Sequence, residues 1–210
     1  MDNSTKKLVA LSFDDGPDSV LTAKVLDKLE KYGVTASFFL IGHLITDETK
    51  PILDRMAKLG VEFNNHAWAW DSLDKKTPQE IKKSVADTSK AIQKYTGKAP
   101  SFFRAPNLDV SETLYKSVDL PFICGVVAYD WEACKTNAEQ RAKNVLDGVK
   151  DGAIVLLHDV QPEPHPTPEA LDTIIPELLK QNYEFVTVGE LFRRKGVTPK
   201  LHECKMWTYV

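Results

Sequence analysis

The sequence predicts an α/β fold, a distorted and incomplete (β/α) barrel with about seven parallel strands. Apolar runs of strand length alternate with amphipathic stretches of helix length as far as about position 194. No Ser/Pro-rich linker interrupts them, so we expect a single domain over 1–210, with its core at about 6–194 and a C-terminal tail without clear pattern. An open doubly wound sheet is the alternative, because seven units are one short of a regular eightfold barrel.

The predicted strands are short apolar runs, and an amphipathic helix follows each of them. The strands cover residues 7–13, 36–41, 62–65, 101–104, 122–127, 153–158 and 185–187. The helices cover residues 21–32, 48–59, 78–95, 112–117, 139–149, 168–181 and 188–194. Gly33, Gly60 and Gly97 stand just past helix ends, and Pro78 stands just inside a start behind Thr77. In either architecture the carboxyl ends of the strands meet at one face, where we expect the functional site.

Composition excludes several classes of partner. The net charge of -3 and pI near 6.0 give no reason to expect nucleic acid, which is bound by concentrated Lys and Arg. No apolar run approaches the roughly 20 residues of a membrane span, so no membrane partner is expected. The cysteines form no CxxC motif. Cys124 is expected to be a buried small hydrophobe, and a Cys134–Cys204 disulfide stays an open alternative.

Ionisable residues stand at the ends of five predicted strands. They are Asp14 and Asp15, His66, Arg104, Asp130, and His158. Unpaired charges that converged there would repel each other or be desolvated at a cost of several kcal/mol, so their convergence favours a catalytic or metal-binding site.

Two adjacent carboxylates, Asp14 and Asp15, lie where the first strand breaks into a Gly-Pro turn. Neighbouring side chains diverge, so one carboxylate can bind a metal while the other activates a water. The alternative is a plain turn, which these residue types also favour. His66, in Asn-Asn-His-Ala-Trp, is a candidate imidazole ligand for a divalent metal, although a lone histidine is more often structural.

A second pair of residues suits acid catalysis. His158 follows a continuous apolar run, which places its imidazole at the rim beside an apolar floor. Asp130 can accept its second N–H, which would raise the pKa of His158 and fix its tautomer. Arg104 follows two aromatic residues and needs an anionic partner, for which Asp14 is the obvious candidate. A surface histidine and a structural salt bridge are the respective alternatives.

These motifs resemble the polysaccharide deacetylases of carbohydrate esterase family 4, which share the NodB-homology domain. The resemblance covers positions 6–194 and rests on four motifs in order, listed here as they stand: Ser-Phe-Asp14-Asp15-Gly-Pro, Arg104-Ala-Pro106, Asp130-Trp131 and Leu156-Leu-His158-Asp.

The resemblance implies a role for each residue. Asp14 would be the catalytic base, oriented by Arg104, and His158 the general acid, tuned by Asp130. One divalent metal ion, Co, Zn, Ni, Mn or Mg, would be held by Asp15 and His66 and would polarise the acetyl carbonyl and activate the attacking water. The remaining assignments concern the substrate: Trp131 and Leu156 would shape the groove for the acetyl methyl group, and the backbone N–H of Asn107 would help to stabilise the oxyanion.

The sequence departs from the family at two positions. Members place a second histidine four residues after the first, where this chain has Trp70, and an indole N–H cannot ligate a metal. Water would then complete part of the site, which favours an exchangeable ion, unless His43 or Asp71 substitutes. Asn107 stands where an aromatic residue is common, which predicts a more open cleft.

Within this family we expect an extracellular esterase that removes O-acetyl groups from xylan, because the weak net charge suits a neutral polymer. We expect it to act as a monomer, either alone or as a module of a larger enzyme. An N-deacetylase of chitin oligomers or peptidoglycan is the first alternative, and an inactive carbohydrate-binding pseudoenzyme is the second. A glycoside hydrolase fits less well, because it needs two carboxylates at a set separation across one bond.

Overall fold

A computed structural model describes residues 6–131 and 136–210, which include eight strands and seven α-helices. The strands are β1 Lys7–Asp14, β2 Ser37–Leu40, β3 Glu62–Asn65, β4 Phe122–Ile123, β5 Val126–Val127, β6 Ala153–His158, β7 Tyr183–Phe185 and β8 Met206–Trp207. The helices are α1 Leu21–Tyr32, α2 Lys50–Lys58, α3 Pro78–Thr96, α4 Glu112–Ser117, α5 Ala138–Gly148, α6 Thr167–Lys180 and α7 Val188–Lys195. Two short 3-10 helices lie at Gly42–Leu44 and Pro106–Leu108.

Strand β1 organises a parallel sheet with the order β3-β2-β1-β6-β5. One edge of β1 pairs with β6, and the other edge pairs with β7 near its start and with β2 near its end. Phe103 forms a parallel bridge with Asn65 on one side and with Phe122 on the other, so it continues the barrel wall from β3 to β4. The predicted distorted, incomplete α/β barrel is confirmed.

Three predicted strands are wrong in detail. The predicted strand 185–187 lies two residues too late, since β7 covers Tyr183–Phe185. The predicted strand 101–104 reduces to the single bridged residue Phe103, because the side-chain Oδ1 of Asn64 accepts the N–H groups of Ser101 and Phe102. The predicted strand 122–127 is split into β4 and β5. The split frees the carbonyl of Cys124 to accept a hydrogen bond from Arg104, and that cysteine is half-buried rather than buried.

The C-terminal tail carries structure that its sequence does not reveal. Strand β8 pairs in parallel with β4, and Tyr209 forms an antiparallel bridge with Ala153 at the start of β6. The short strand β8 depends on a partner from a distant part of the chain, which local patterning cannot show. Cys204 is exposed, and the predicted disulfide partner Cys134 lies outside the described residues.

Local signals explain most helix boundaries. Thr77 and Glu80 form a reciprocal capping box at the start of α3, and Gly33 and Gly97 end α1 and α3 in the left-handed conformation. The apolar faces of the helices cover the sheet around a core that includes Val9, Leu11 and other β1 side chains. In the described part of the chain, no helix is long and apolar enough to cross a membrane.

Candidate active site

The carboxyl ends of the strands surround a cavity of about 460 Å³. Seven of the nine predicted site residues line it: Asp14, Asp15, His66, Asn107, Trp131, Leu156 and His158. The other two, Arg104 and Asp130, are fully buried directly behind them. The structure therefore brings the predicted residues together at one face.

Asp14, the last residue of β1, is held by a buried guanidinium. Arg104 Nη1 lies 2.6 Å from Asp14 Oδ1, and Nη2 donates to Ser12 Oγ at 2.8 Å and to the carbonyl of Cys124 at 2.7 Å. Arg104 Nε donates to the carbonyl of Ile123 at 3.3 Å. One oxygen of Asp14 is thus fixed by a charge-assisted bond, while Oδ2 faces His66 Nε2 at 3.7 Å.

His66 and Asp15 are arranged as metal ligands would be. His66 Nδ1 lies 2.8 Å from the carbonyl of Arg104, which can only accept, so Nδ1 carries the proton and Nε2 keeps its lone pair. That nitrogen lies 3.6 Å from Asp15 Oδ1, a gap that one ion with ligand distances of about 2.0–2.2 Å can bridge. Gln161 Nε2 donates to Asp15 Oδ2 at 2.7 Å.

The environment of Asp15 also favours a cation. The residue is in the left-handed region, with a backbone φ of 81°. Burial raises the pKa of Asp15, and the neighbouring His66 and His158 only partly offset that effect. Its carboxylate is therefore under-compensated, and a bound divalent ion would supply the missing positive charge.

Neither proposed substitute for the missing histidine lies in the cavity. His43 contacts the Trp68 carbonyl through Nδ1 and packs edge-on against Trp70, at 4.9 Å between ring centres. Asp71 pairs with Lys76 at 3.1 Å. Among the described residues, no group of three His, Cys, Asp or Glu side chains is placed to hold one ion, so Asp15 and His66 remain a two-residue set.

His158 and Asp130 form the second charged pair. Asp130 Oδ1 lies 2.7 Å from His158 Nδ1, and Oδ2 accepts the backbone N–H of His158 at 2.7 Å and the hydroxyl of Thr167 at 2.9 Å. Burial alone would lower the pKa of His158, but the charge and hydrogen bond of Asp130, with the Asp14 and Asp15 charges, raise it to about 9. Burial opposes ionisation of Asp130, yet contacts with His158 lower the pKa of that carboxyl. His158 is thereby held as a proton donor.

The remaining predicted residues form the walls. Trp131 is 41% exposed and packs edge-on against the His158 ring, while buried Leu156 supplies the apolar floor. The Asn107 amide donates to Ser72 Oγ at 2.9 Å and to the Trp70 carbonyl at 3.3 Å, so the side chain fastens two loops together. Asn107 has a φ of 57°, and its backbone N–H makes no hydrogen bond within residues 6–131 and 136–210. That N–H is available to an oxyanion.

Comparison with known proteins decides the family. The polysaccharide deacetylase family model matches residues 1–121, more than half of the chain. The chain belongs to the polysaccharide deacetylase family. The predicted class, a carbohydrate esterase of family 4, is confirmed.

Several similar proteins align with most of this chain. A family 4 acetyl xylan esterase from Clostridium thermocellum, solved with a cobalt ion, is 55% identical at a TM-score of 0.94, covering 97% of this chain and 99% of that one. The Xyl-CE4 domain of a multidomain xylanase from the hindgut metagenome of Trinervitermes trinervoides is 43% identical at a TM-score of 0.93, covering 98% of each chain. A bifunctional xylanase/deacetylase of Pseudobutyrivibrio xylanivorans is 45% identical over 98% of this chain.

A more distant relative acts on another polymer. A peptidoglycan-N-acetylglucosamine deacetylase of Listeria monocytogenes is 37% identical over 91% of this polysaccharide deacetylase chain. The chain spans only 33% of the bifunctional xylanase/deacetylase and 40% of the Listeria enzyme.

Sequence reasoning missed three supporting residues. Ser12 accepts from Arg104, Thr167 donates to Asp130, and Gln161 donates to Asp15. Ser12 falls inside a buried strand, which is a weak signal for a polar partner. Gln161 lies in the loop after β6 and Thr167 is the first residue of α6, and nothing in the sequence at either position indicates that the side chain faces the site.

Proposed function

We propose that this deacetylase removes O-acetyl groups from xylan with the help of a divalent metal ion. The observation that carries the proposal is the meeting of two charged pairs, Arg104–Asp14 and Asp130–His158, across one cavity that also holds Asp15 and His66. A base without its acid, or an acid without its base, would not complete the hydrolysis of an ester.

The side chains divide the reaction between them. Asp14, oriented by Arg104, takes the proton of the attacking water as general base. The backbone N–H of Asn107 donates to the oxygen that becomes negative as the carbonyl carbon turns tetrahedral. His158 then gives its Nε2 proton to the sugar oxygen that leaves, while Asp130 stabilises the imidazolium before this transfer. Leu156 and Trp131 enclose the acetyl methyl group.

Asp15 and His66 would hold the divalent ion, which when bound polarises the acetyl carbonyl and lowers the pKa of water. The cobalt ion of the similar Clostridium esterase supports a divalent metal here. With only two protein ligands, the site would be completed by water and would exchange its ion readily. We propose Co, Zn, Ni, Mn or Mg as candidates.

Two arguments favour xylan as the substrate. The two solved structures with the highest similarity reported above are an acetyl xylan esterase and a domain of a xylanase. The chain is weakly acidic, with a net charge of -3, which suits a neutral polymer better than a charged one. We propose further that it works outside the cell, where xylan is found, as a monomeric module of a larger enzyme like the similar xylanases.

Acetate release from three polymers tests the substrate assignment. Acetylated xylan, chitin oligomers and peptidoglycan would each be incubated with the cobalt-loaded protein, and acetate would be quantified against a His158→Ala control. We expect release from xylan to exceed the other two by at least tenfold. Preferential release from chitin or peptidoglycan would make the protein an N-deacetylase, and binding of sugar without any release would make it a carbohydrate-binding pseudoenzyme.

A further inference from the structure

A second cavity of about 370 Å³ lies beside the catalytic one. Its lining combines an indole with several hydrogen-bonding side chains: Trp68, Ala69, Asp71, Leu73, Lys76, Glu80, Lys83, Ser84 and Asp87. Trp70, between Ala69 and Asp71 in the chain, lines the catalytic cavity instead. The loop 68–71 therefore borders both cavities.

Trp68 is fixed in place although the residue is 42% exposed. A methyl group added at Gly42 would come within 2.6 Å of the indole Cε3, so the ring packs directly against the backbone there. The backbone N–H of Trp68 donates to Ser84 Oγ at 2.9 Å. A rigid, exposed indole offers a flat apolar face at little cost in conformational entropy, and such a face can pack against the C–H groups of a sugar ring.

The charges around Trp68 favour a neutral ligand. The lining holds three carboxylates and two ammonium groups. Asp71 pairs with Lys76, and Asp87 pairs with Lys83, so little net charge is left to attract an ion. Carboxylate oxygens accept and ammonium groups donate hydrogen bonds, which suits hydroxyl groups because each hydroxyl can do both.

We propose that this second cavity is a distal subsite for the xylan chain, with Trp68 as its stacking platform. The proposal rests on the proposed function, since it assigns to the same polymer a place beyond the catalytic cavity. An acetylated unit between Asp14 and His158 would continue over Trp70, and units further along the chain would pack on Trp68. Long chains would then bind more tightly than short ones.

Trp68→Ala tests the subsite through the dependence on chain length. Initial rates would be measured on acetylated xylan and on acetylated xylobiose, which offers only one sugar unit beyond the one in the catalytic cavity. We expect KM for the polymer to rise roughly tenfold, with kcat for the polymer and kcat/KM for the disaccharide each within about twofold. Tyr209→Ala removes an exposed aromatic ring that lines neither cavity and should leave all three parameters unchanged.

Binding of unacetylated xylohexaose, followed by calorimetry, separates this inference from the proposed function. Loss of binding in Trp68→Ala would support the subsite even if no acetate were released from xylan. An unchanged polymer KM and unchanged xylohexaose binding in a folded Trp68→Ala variant would overturn the subsite and leave the esterase assignment intact. Tighter binding of chitohexaose than xylohexaose by the wild type, lost in the variant, would overturn xylan as the occupant.

Arg141, in α5, is fully buried behind the acid His158. Its Nη1 donates to Thr167 Oγ1 at 2.9 Å and to His165 Nδ1 at 3.1 Å. Thr167 in turn donates to Asp130 Oδ2, and His165 Nε2 lies 2.8 Å from the backbone carbonyl of His158. Arg141 Nη2 has no hydrogen-bond partner within residues 6–131 and 136–210.

A buried guanidinium with one nitrogen unsatisfied is costly for folding, which calls for an explanation other than stability. Both of its Nη1 contacts lead to the charged pair, one through a hydroxyl to the Asp130 carboxylate and one through an imidazole to the His158 backbone. We infer that Arg141 is a positioning residue for the general acid. It fixes Asp130 through Thr167 and holds His165 against the backbone carbonyl of His158.

The test compares Arg141→Met with Arg141→Lys. In Arg141→Met we expect kcat to fall at least tenfold while KM stays within about twofold, and Arg141→Lys, which keeps a donor, should restore part of kcat. Thr167→Val, a smaller change, should lower kcat in the same direction. Arg193→Met serves as control, because Arg193 is exposed and pairs only with Glu190 among the described residues. Unchanged kcat in folded Arg141→Met and Thr167→Val would overturn the inference.

Discussion

Asp130→Asn removes the charge that keeps His158 protonated while nearly preserving the shape of the side chain. In the wild type the Asp130 charge and hydrogen bond raise the pKa of His158 to about 9. Without that charge, burial opposes the imidazolium and the pKa should return towards the ordinary value of 6.5 or below. A general acid must carry its proton, so activity is lost as pH rises through this pKa.

The size of the effect follows from the two values. At pH 8 a group of pKa 9 is about 0.9 protonated and one of pKa 6.5 about 0.03, so kcat should be roughly 30-fold lower in the variant. The alkaline limb of the kcat profile should move down by about 2.5 pH units, and the loss should shrink as pH falls towards 6. A bound cation would lower the pKa of His158 in the wild type and in the variant alike. The quantity to compare is therefore the difference between the two pH profiles.

The assay is acetate release from acetylated xylan between pH 5 and 10 at saturating substrate and cobalt. Asp54→Asn is a suitable control, because Asp54 is exposed and pairs with Lys50 on the surface of α2. An alkaline limb that stays in place in Asp130→Asn, or a loss of kcat that is equal at every pH, would refute the assignment of His158 as the titrating acid.

Three further substitutions give distinct results. Arg104→Met should destabilise the protein by about 3–5 kcal/mol in chemical unfolding, because it leaves the buried Asp14 carboxylate without its partner; an unchanged midpoint would contradict this. Trp70→His supplies the imidazole that the family has at this position, and calorimetry on the chelated protein should show at least tenfold tighter cobalt binding; equal affinity would place residue 70 away from the ion. Gly16→Ala should lower the free energy of unfolding by about 1–3 kcal/mol, because the added methyl group would overlap the buried Asp159 carboxylate. Thermal unfolding would detect this, and an unaltered midpoint would show that the turn can adjust.

The sequence predicts the barrel and the site because their signals are local. The apolar run of β6 ends at His158, and the break of β1 falls at Asp14, so both positions follow from patterning alone. Parallel pairing then brings these ends together, since Asp14 and His158 are register partners. The site residues were predictable for the same reason that the sheet was.

The features that the sequence does not predict depend on contacts between distant segments of the chain. Gly125 lies between β4 and β5, where a methyl group would overlap the backbone of Leu156, yet the sequence there predicts one continuous apolar strand. The pairing of β8 with β4 joins residues about 84 positions apart. The hydrogen bonds of Arg141 with His165 and Thr167 join helix α5 to the start of α6, 24–26 residues further on, and no local pattern specifies such partners.

The most direct test of the proposed reaction is metal-dependent acetate release from acetylated xylan. The chelated protein would be assayed alone and after addition of Co, Zn, Ni, Mn or Mg, beside Asp14→Asn and His158→Ala. We predict no acetate release without metal and restored release with at least one of these ions. In each variant the rate should fall at least a hundredfold. Release that survives chelation, or that survives both substitutions, would contradict a metal-assisted reaction with Asp14 as base and His158 as acid.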